Sequence, residues 1–136
     1  MMTRQMNRFL LGESKAPVTK PEDEWLQAIH MAGSIGVNVE LQGDPPKERT
    51  ARILLAAAVR ECAANTVKHA EGNTLRVDIQ KNASGFHMTL TNNGKPPKRP
   101  VVESGGLLAL RRSVEGAGGQ MLVQSLPTFS LMLSIP

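Results

Sequence analysis

The chain has 136 residues, enough for one domain and too few for two independent cores. Hydrophobic residues at 40% and charged residues at 21% are ordinary globular usage, which excludes a disordered, collagen-like or coiled-coil chain. The net charge of +4 favours an anionic partner without choosing one, while 3% aromatic content with no Tyr makes a nucleic-acid partner unexpected. No apolar run reaches the roughly 18 residues a membrane helix needs, and MMTRQMNRFLLGESK has neither a signal-length apolar core nor a small-residue cleavage site. A cytoplasmic location is expected. Cys62 is alone and the three histidines are scattered, so neither a disulfide nor a structural zinc is expected.

Residues 1–20 are polar and basic and end in the loop signal KAPVTKP, reading as a tail or the remnant of a preceding helix. From Pro21 to Ala32 an acidic opening precedes Trp25, Ala28, Ile29 and Ala32, whose spacing predicts a short amphipathic helix stopped by Gly33 and Gly36. Val37, Val39 and Leu41 alternate with polar residues, which predicts a half-buried strand closed by GDPP. Lys47 to Ala70 contains no Gly or Pro and predicts the longest helix, ended by Glu71-Gly72-Asn73. Leu75, Val77 and Ile79, then Phe86, Met88 and Leu90, alternate on either side of an Asn82–Gly85 turn and predict an antiparallel hairpin. Asn92 to Gly106 holds three Pro, three Gly and three basic residues, a loop long enough to suggest function or mobility. Leu107 to Ala117 predicts a helix, and Met121–Gln124 and Phe129–Ile135 two further strands. Antiparallel strands with helices able to cover one face predict an α+β fold, a two-layer sandwich rather than a parallel doubly wound sheet.

On the long helix, Glu61, Asn65, Lys68 and His69 fall within about a third of the circumference, while Leu55, Val59, Ala63 and Val67 are expected to face a sheet. Periodicity alone reads that polar face as solvated or ligand-facing, the former more readily. An Asn in mid-helix counts against the solvated alternative, because it is a poor helix former. Asn92-Asn93-Gly94 ends a predicted strand, and Ser104-Gly105-Gly106-Leu107 opens a helix. Taken singly, these are a turn and a hinge; a glycine pair entering a helix also lets backbone N–H groups meet a phosphate. Their order along the chain is what raises the functional alternative.

ECAANTVKHA, residues 61–70, resembles the N-box of the GHKL ATPase superfamily; TNNGKPP resembles its first glycine box and SGGLLALRRSVEGAGG its second. The likeness is nearest to the catalytic ATP-binding domain of bacterial sensor histidine kinases with short lids, spans roughly residues 34–136 and includes the ending PTFSLMLSIP. The resemblance implies a Bergerat-type fold, a mixed, mostly antiparallel sheet covered by helices on one face, with nucleotide between the long helix and the lid. It implies a catalytic Glu61 that orients or deprotonates the attacking group, and an Asn65 that binds Mg²⁺. It implies phosphate contact for Lys68, ribose or phosphate contact for His69, and nucleotide contact through Asn92, Gly94, Gly105, Gly106, Leu107 and Thr128. Arg111 and Arg112 are expected to lie too far along their helix to reach it, one of them packing over the sheet.

The chain departs from the family where Asn92 replaces an Asp that accepts from the adenine amino group. An amide both accepts and donates, so adenine is expected to bind with weaker discrimination against guanine. Pro96 and Ser104 stand where the family has glycine, and there is no clear phenylalanine box. The expectation is a tail over residues 1–20 and a catalytic domain over 21–136 that uses ATP and Mg²⁺ as cofactors. Its partners would be ATP or ADP, a dimerisation and phosphoacceptor domain outside this chain and, indirectly, a response regulator. Neither His30 nor His87 has the setting of a phosphoacceptor, so the expectation is either a stand-alone relative or a piece of a larger sensor, whether soluble or membrane-anchored. The alternatives are a stand-alone serine kinase of the anti-sigma-factor type and a non-catalytic, nucleotide-responsive interaction module.

Overall fold

The alternation of periods along the chain is realised in eight elements. A computed structural model describes residues 21–136, with side chains from Glu24 onward; the tail expected over residues 1–20 lies outside the described residues. The elements are α1 (Pro21–Ser34), β1 (Asn38–Gln42), α2 (Arg49–Ala70), β2 (Thr74–Asn82), β3 (Gly85–Asn92), α3 (Gly105–Gly116), β4 (Gln120–Gln124) and β5 (Ser130–Ile135). The last helix begins two residues earlier than the apolar pattern predicts, because Gly105 and Gly106 join it.

The five strands form one sheet in the order β1-β2-β3-β5-β4. β1 and β2 are parallel, since α2 carries the chain back across the sheet between them, and the other three pairings are antiparallel. This is the mixed, mostly antiparallel α+β sheet expected. Register places Val77 opposite Leu90 and Leu90 opposite Leu131, so the central strands present one apolar row to the helices. Those three side chains and Leu55 and Val59 of α2 are fully buried. Truncating such a leucine to alanine typically costs about 2–5 kcal/mol, so this row anchors the surface on which α2 rests. The opposite face carries Asp78, Thr89, Met132 and Leu122 in register and is open among the described residues.

One predicted inward position is corrected. Leu55, Val59 and Ala63 are buried, but Val67 is 40% exposed and its neighbour Thr66 takes the inward place. Steps of four residues advance about 40° round a helix, so three steps carry the stripe about 120° off the buried face. Thr66 is accommodated there by donating its hydroxyl to the Cys62 carbonyl at 2.7 Å. Arg60 of α2 pairs with Glu24 of α1, which ties the outer helix to the one that carries the polar face.

Candidate functional site

A cavity of about 580 Å³ opens between the last turns of α2 and the loop 93–104, within the size range of small-molecule sites. α2 supplies Asn65 and His69 to its wall, and β3 supplies Asn92. The loop supplies Lys95, Lys98 and Arg99, with Val101 and Val102 as apolar surface. Three residues singled out from sequence therefore meet at one cavity although they come from two elements.

The turn joining α2 to β2 explains how Asn92 is held. α2 ends at Glu71 in the left-handed region with φ 53°, and the Gly72 N–H returns to the Thr66 carbonyl at 3.0 Å. Asn93 Oδ1 accepts the N–H groups of Asn73 and Thr74 at 2.9 Å each, and its Nδ2 donates to Asn73 Oδ1 at 2.8 Å. A side chain on Gly72 would collide with Asn93, so glycine is required for this close approach. Gly94, at φ +96°, lets Lys95 N–H reach the Ala70 carbonyl at 2.7 Å. The Asn93 carbonyl fixed in this way accepts from Asn92 Nδ2 at 2.7 Å. One end of the Asn92 amide is thus committed as a donor, and its Oδ1 has no partner among the described residues.

Other expected positions are arranged differently. Glu61 faces the first turn of α3, its carboxylate against Gly106, rather than lining the cavity. Gly105 opens α3 at φ +52° behind Ser104, which does line the cavity. Leu107 is buried in the core, so its side chain is turned from the cavity. Lys68 and Thr128 are exposed and off the cavity wall, although Phe129, next to Thr128, lines it. Lys95, Lys98, Arg99 and Phe129 were not singled out from sequence. The dense basic and proline pattern KPPKR after Gly94 is a signal that could have found the three cations, whereas no local signal marks Phe129.

Arg111 does not reach the cavity, as expected from its place along α3. Instead its Nε and Nη2 donate to the two oxygens of Glu103 at 2.6 and 2.7 Å, and Nη1 donates to the Met121 carbonyl at 2.8 Å. These hydrogen bonds hold the Glu103 carboxyl below the usual carboxylate range and raise the guanidinium in turn. Burial, with a smaller contribution from Glu61, pushes the Cys62 thiol up to about 12. Among the described residues, no three His, Cys, Asp or Glu side chains gather as a metal site, and no helix is long and apolar enough to cross a membrane.

The fold is that of the ATP-binding domain of sensor histidine kinases. The chain is similar over 87% of its length to the ATP-binding domain of PrrB from Mycobacterium tuberculosis, with 22% identity, 94% of that chain covered and a TM-score of 0.63. It is similar over 90% of its length to the histidine kinase domain of the blue-light activated histidine kinase EL346 from Erythrobacter litoralis, with 18% identity, 65% of that chain covered and a TM-score of 0.61. In sequence it is 29% identical over 85 residues to the sensor histidine kinase DesK of Bacillus subtilis, 61% of this chain and 23% of DesK. The likeness to sensor histidine kinases is thus met both in the fold and in a sequence match over 61% of the chain, and that match spans 23% of the length of the curated relative. No protein-family model matches the chain.

Proposed function

We propose that the chain binds Mg·ATP in the cavity between α2 and the loop 93–104 and donates the γ-phosphoryl group to a histidine of a dimerisation domain, from which a response regulator is served. The observation that carries this reading is the meeting of Asn65, His69 and Asn92 at one cavity whose covering loop brings Lys95, Lys98 and Arg99.

The donor set fits the ligand. Asn92 Oδ1 is an acceptor suited to an exocyclic amino group, and the loop cations suit a polyphosphate. Asn65 offers a neutral oxygen, which matches a hard cation that keeps much of its water and shares phosphate oxygens. When bound, Mg²⁺ supplies charge neutralisation at the phosphates. Lys68, exposed at the end of α2, and the backbone of Gly105 and Gly106 complete the phosphate side in this reading. In transfer, the bond from γ-phosphorus to the bridging oxygen breaks and a phosphorus–nitrogen bond to the imidazole forms. Glu61 orients that imidazole or takes its proton. Most of the acceleration then comes from positioning and charge stabilisation.

Calorimetric titration with ATP and ADP, each with and without Mg²⁺, tests the proposal. Saturable micromolar binding is expected, and Asn65→Ala is expected to weaken Mg·ATP far more than metal-free ATP. Equal loss in both removes Asn65 as a metal ligand, and no binding at millimolar ATP overturns the nucleotide reading. Acid-labile phosphate on an added phosphoacceptor domain is the result that supports histidine transfer; acid-stable phosphoserine on a protein partner overturns it.

A further inference from the structure

The loop over the cavity is tied down at both ends, at its start by groups on the cavity wall and at its far end by groups outside it. At its start, Lys95 N–H donates to the Ala70 carbonyl at 2.7 Å, and the Lys95 ammonium lies 3.0 Å from Glu71. At its far end, Val101 N–H donates to Ser125 Oγ at 2.8 Å, just beyond β4. Two residues later Glu103 is gripped in bidentate fashion by Arg111, which also holds the Met121 carbonyl of β4. The side chains of this pair are only 27% and 24% exposed, so they are partly shielded from water. Between the two ties, Pro96, Pro97 and Pro100 limit the backbone freedom of a short span that carries Lys98 and Arg99.

We propose that Arg111 and Glu103 are positioning residues that hold this loop over the cavity before any ligand arrives, so that Lys98 and Arg99 meet the ligand without a separate ordering step. The functional part of this inference rests on the reading that nucleotide binds here. A loop held in its bound place loses less entropy on binding, and the gain is read as slower ligand release. A bidentate guanidinium–carboxylate pair suits the task because it fixes direction as well as distance, which a lysine at position 111 would not do.

Glu103→Ala is the informative variant, because among the described residues Glu103 bonds only to Arg111 and lies outside every helix and strand. Hydrogen exchange at the Val101 amide of the nucleotide-free chain is expected to speed up about tenfold or more, while amides of β2 and β3 are unchanged. ATP dissociation is expected to quicken by about tenfold with little change in association. The double exchange Glu103→Arg with Arg111→Glu is expected to recover part of both effects, which a purely structural loss would not allow. Unchanged Val101 exchange in Glu103→Ala overturns the mooring itself. Faster exchange with unaltered ATP release overturns its role toward nucleotide. Failure of the unaltered chain to bind ATP overturns the functional reading first, and that result is distinguished by being seen without any substitution.

Discussion

The Glu61 carboxylate lies directly against Gly106, so closely that a methyl group at position 106 would overlap its oxygens. This contact brings the polar face of α2 to the first turn of α3, and it works only because residue 106 has no side chain.

Gly106→Ala is therefore expected to displace the Glu61 side chain, which is flexible, without unfolding a helix that alanine favours. In the proposed activity, turnover with an added phosphoacceptor domain should fall by about tenfold or more, approaching that of Glu61→Gln, because a displaced acid or base loses most of its contribution. Nucleotide affinity should change less. Steady-state transfer assays beside calorimetry check this; unchanged turnover in both variants excludes a catalytic role for Glu61.

If nucleotide binds as proposed, with Asn92 Oδ1 accepting from the base, the hydrogen bond from Asn92 Nδ2 to the Asn93 carbonyl sets the base selectivity. Turning the amide to donate toward guanine would break that bond and bring two oxygens together, a penalty that falls on GTP and not on ATP. An ATP preference of about tenfold is expected, from the roughly 1.4 kcal/mol that such a mismatch carries. A second N–H remains on the amide, so the preference should lie below that of Asn92→Asp. Competition binding with ATP and GTP checks this, and equal affinities for the two in the unaltered chain contradict it.

Cys62 should be inert in the folded chain. It is 1% exposed and its thiol is raised from 9.0 to about 12, so at pH 8 the thiolate, the reactive form, is scarcer by about 10³-fold than for the unperturbed thiol. Labelling with a disulfide reagent should await opening of the core and speed up by orders of magnitude in denaturant. Rapid stoichiometric labelling of the native chain would contradict the packing of α2.

The Glu103–Arg111 pair gives a pH dependence of known sign. The folded-state carboxyl is lowered, so its contribution is present above the ordinary carboxylate range and lost as pH falls through the lowered value. Thermal melts of the unaltered chain and Glu103→Gln should differ at pH 7 by at most about 4 °C, since the pair is partly solvated. The difference should vanish in acid. A difference that grows as pH falls would contradict the pairing.

Much of this arrangement was legible in the linear pattern. Alternation of Leu75, Val77 and Ile79, and of Phe86, Met88 and Leu90, announces a hairpin because successive strand residues face opposite ways. The Ala-rich stretch before Glu71 announces α2 for reasons of helix propensity that need no partner. The inward place of Thr66 was not legible, because it depends on how the stripe drifts across three turns and on a backbone carbonyl that accepts its hydroxyl.

By itself, the sequence determined the element order, the α+β class and the three boxes, since hydrophobic period, turn residues and motif spacing are local properties. Tertiary structure decided which members of the polar face reach the cavity: Asn65 and His69 do, whereas Glu61 turns to α3 and Lys68 lies off the wall. It also decided that Arg111 grips Glu103 eight residues away and a carbonyl on the edge strand. Both outcomes depend on the distance between surfaces of different elements, and that distance is set by the packing of α2 and α3 on the sheet, not by any spacing along the chain.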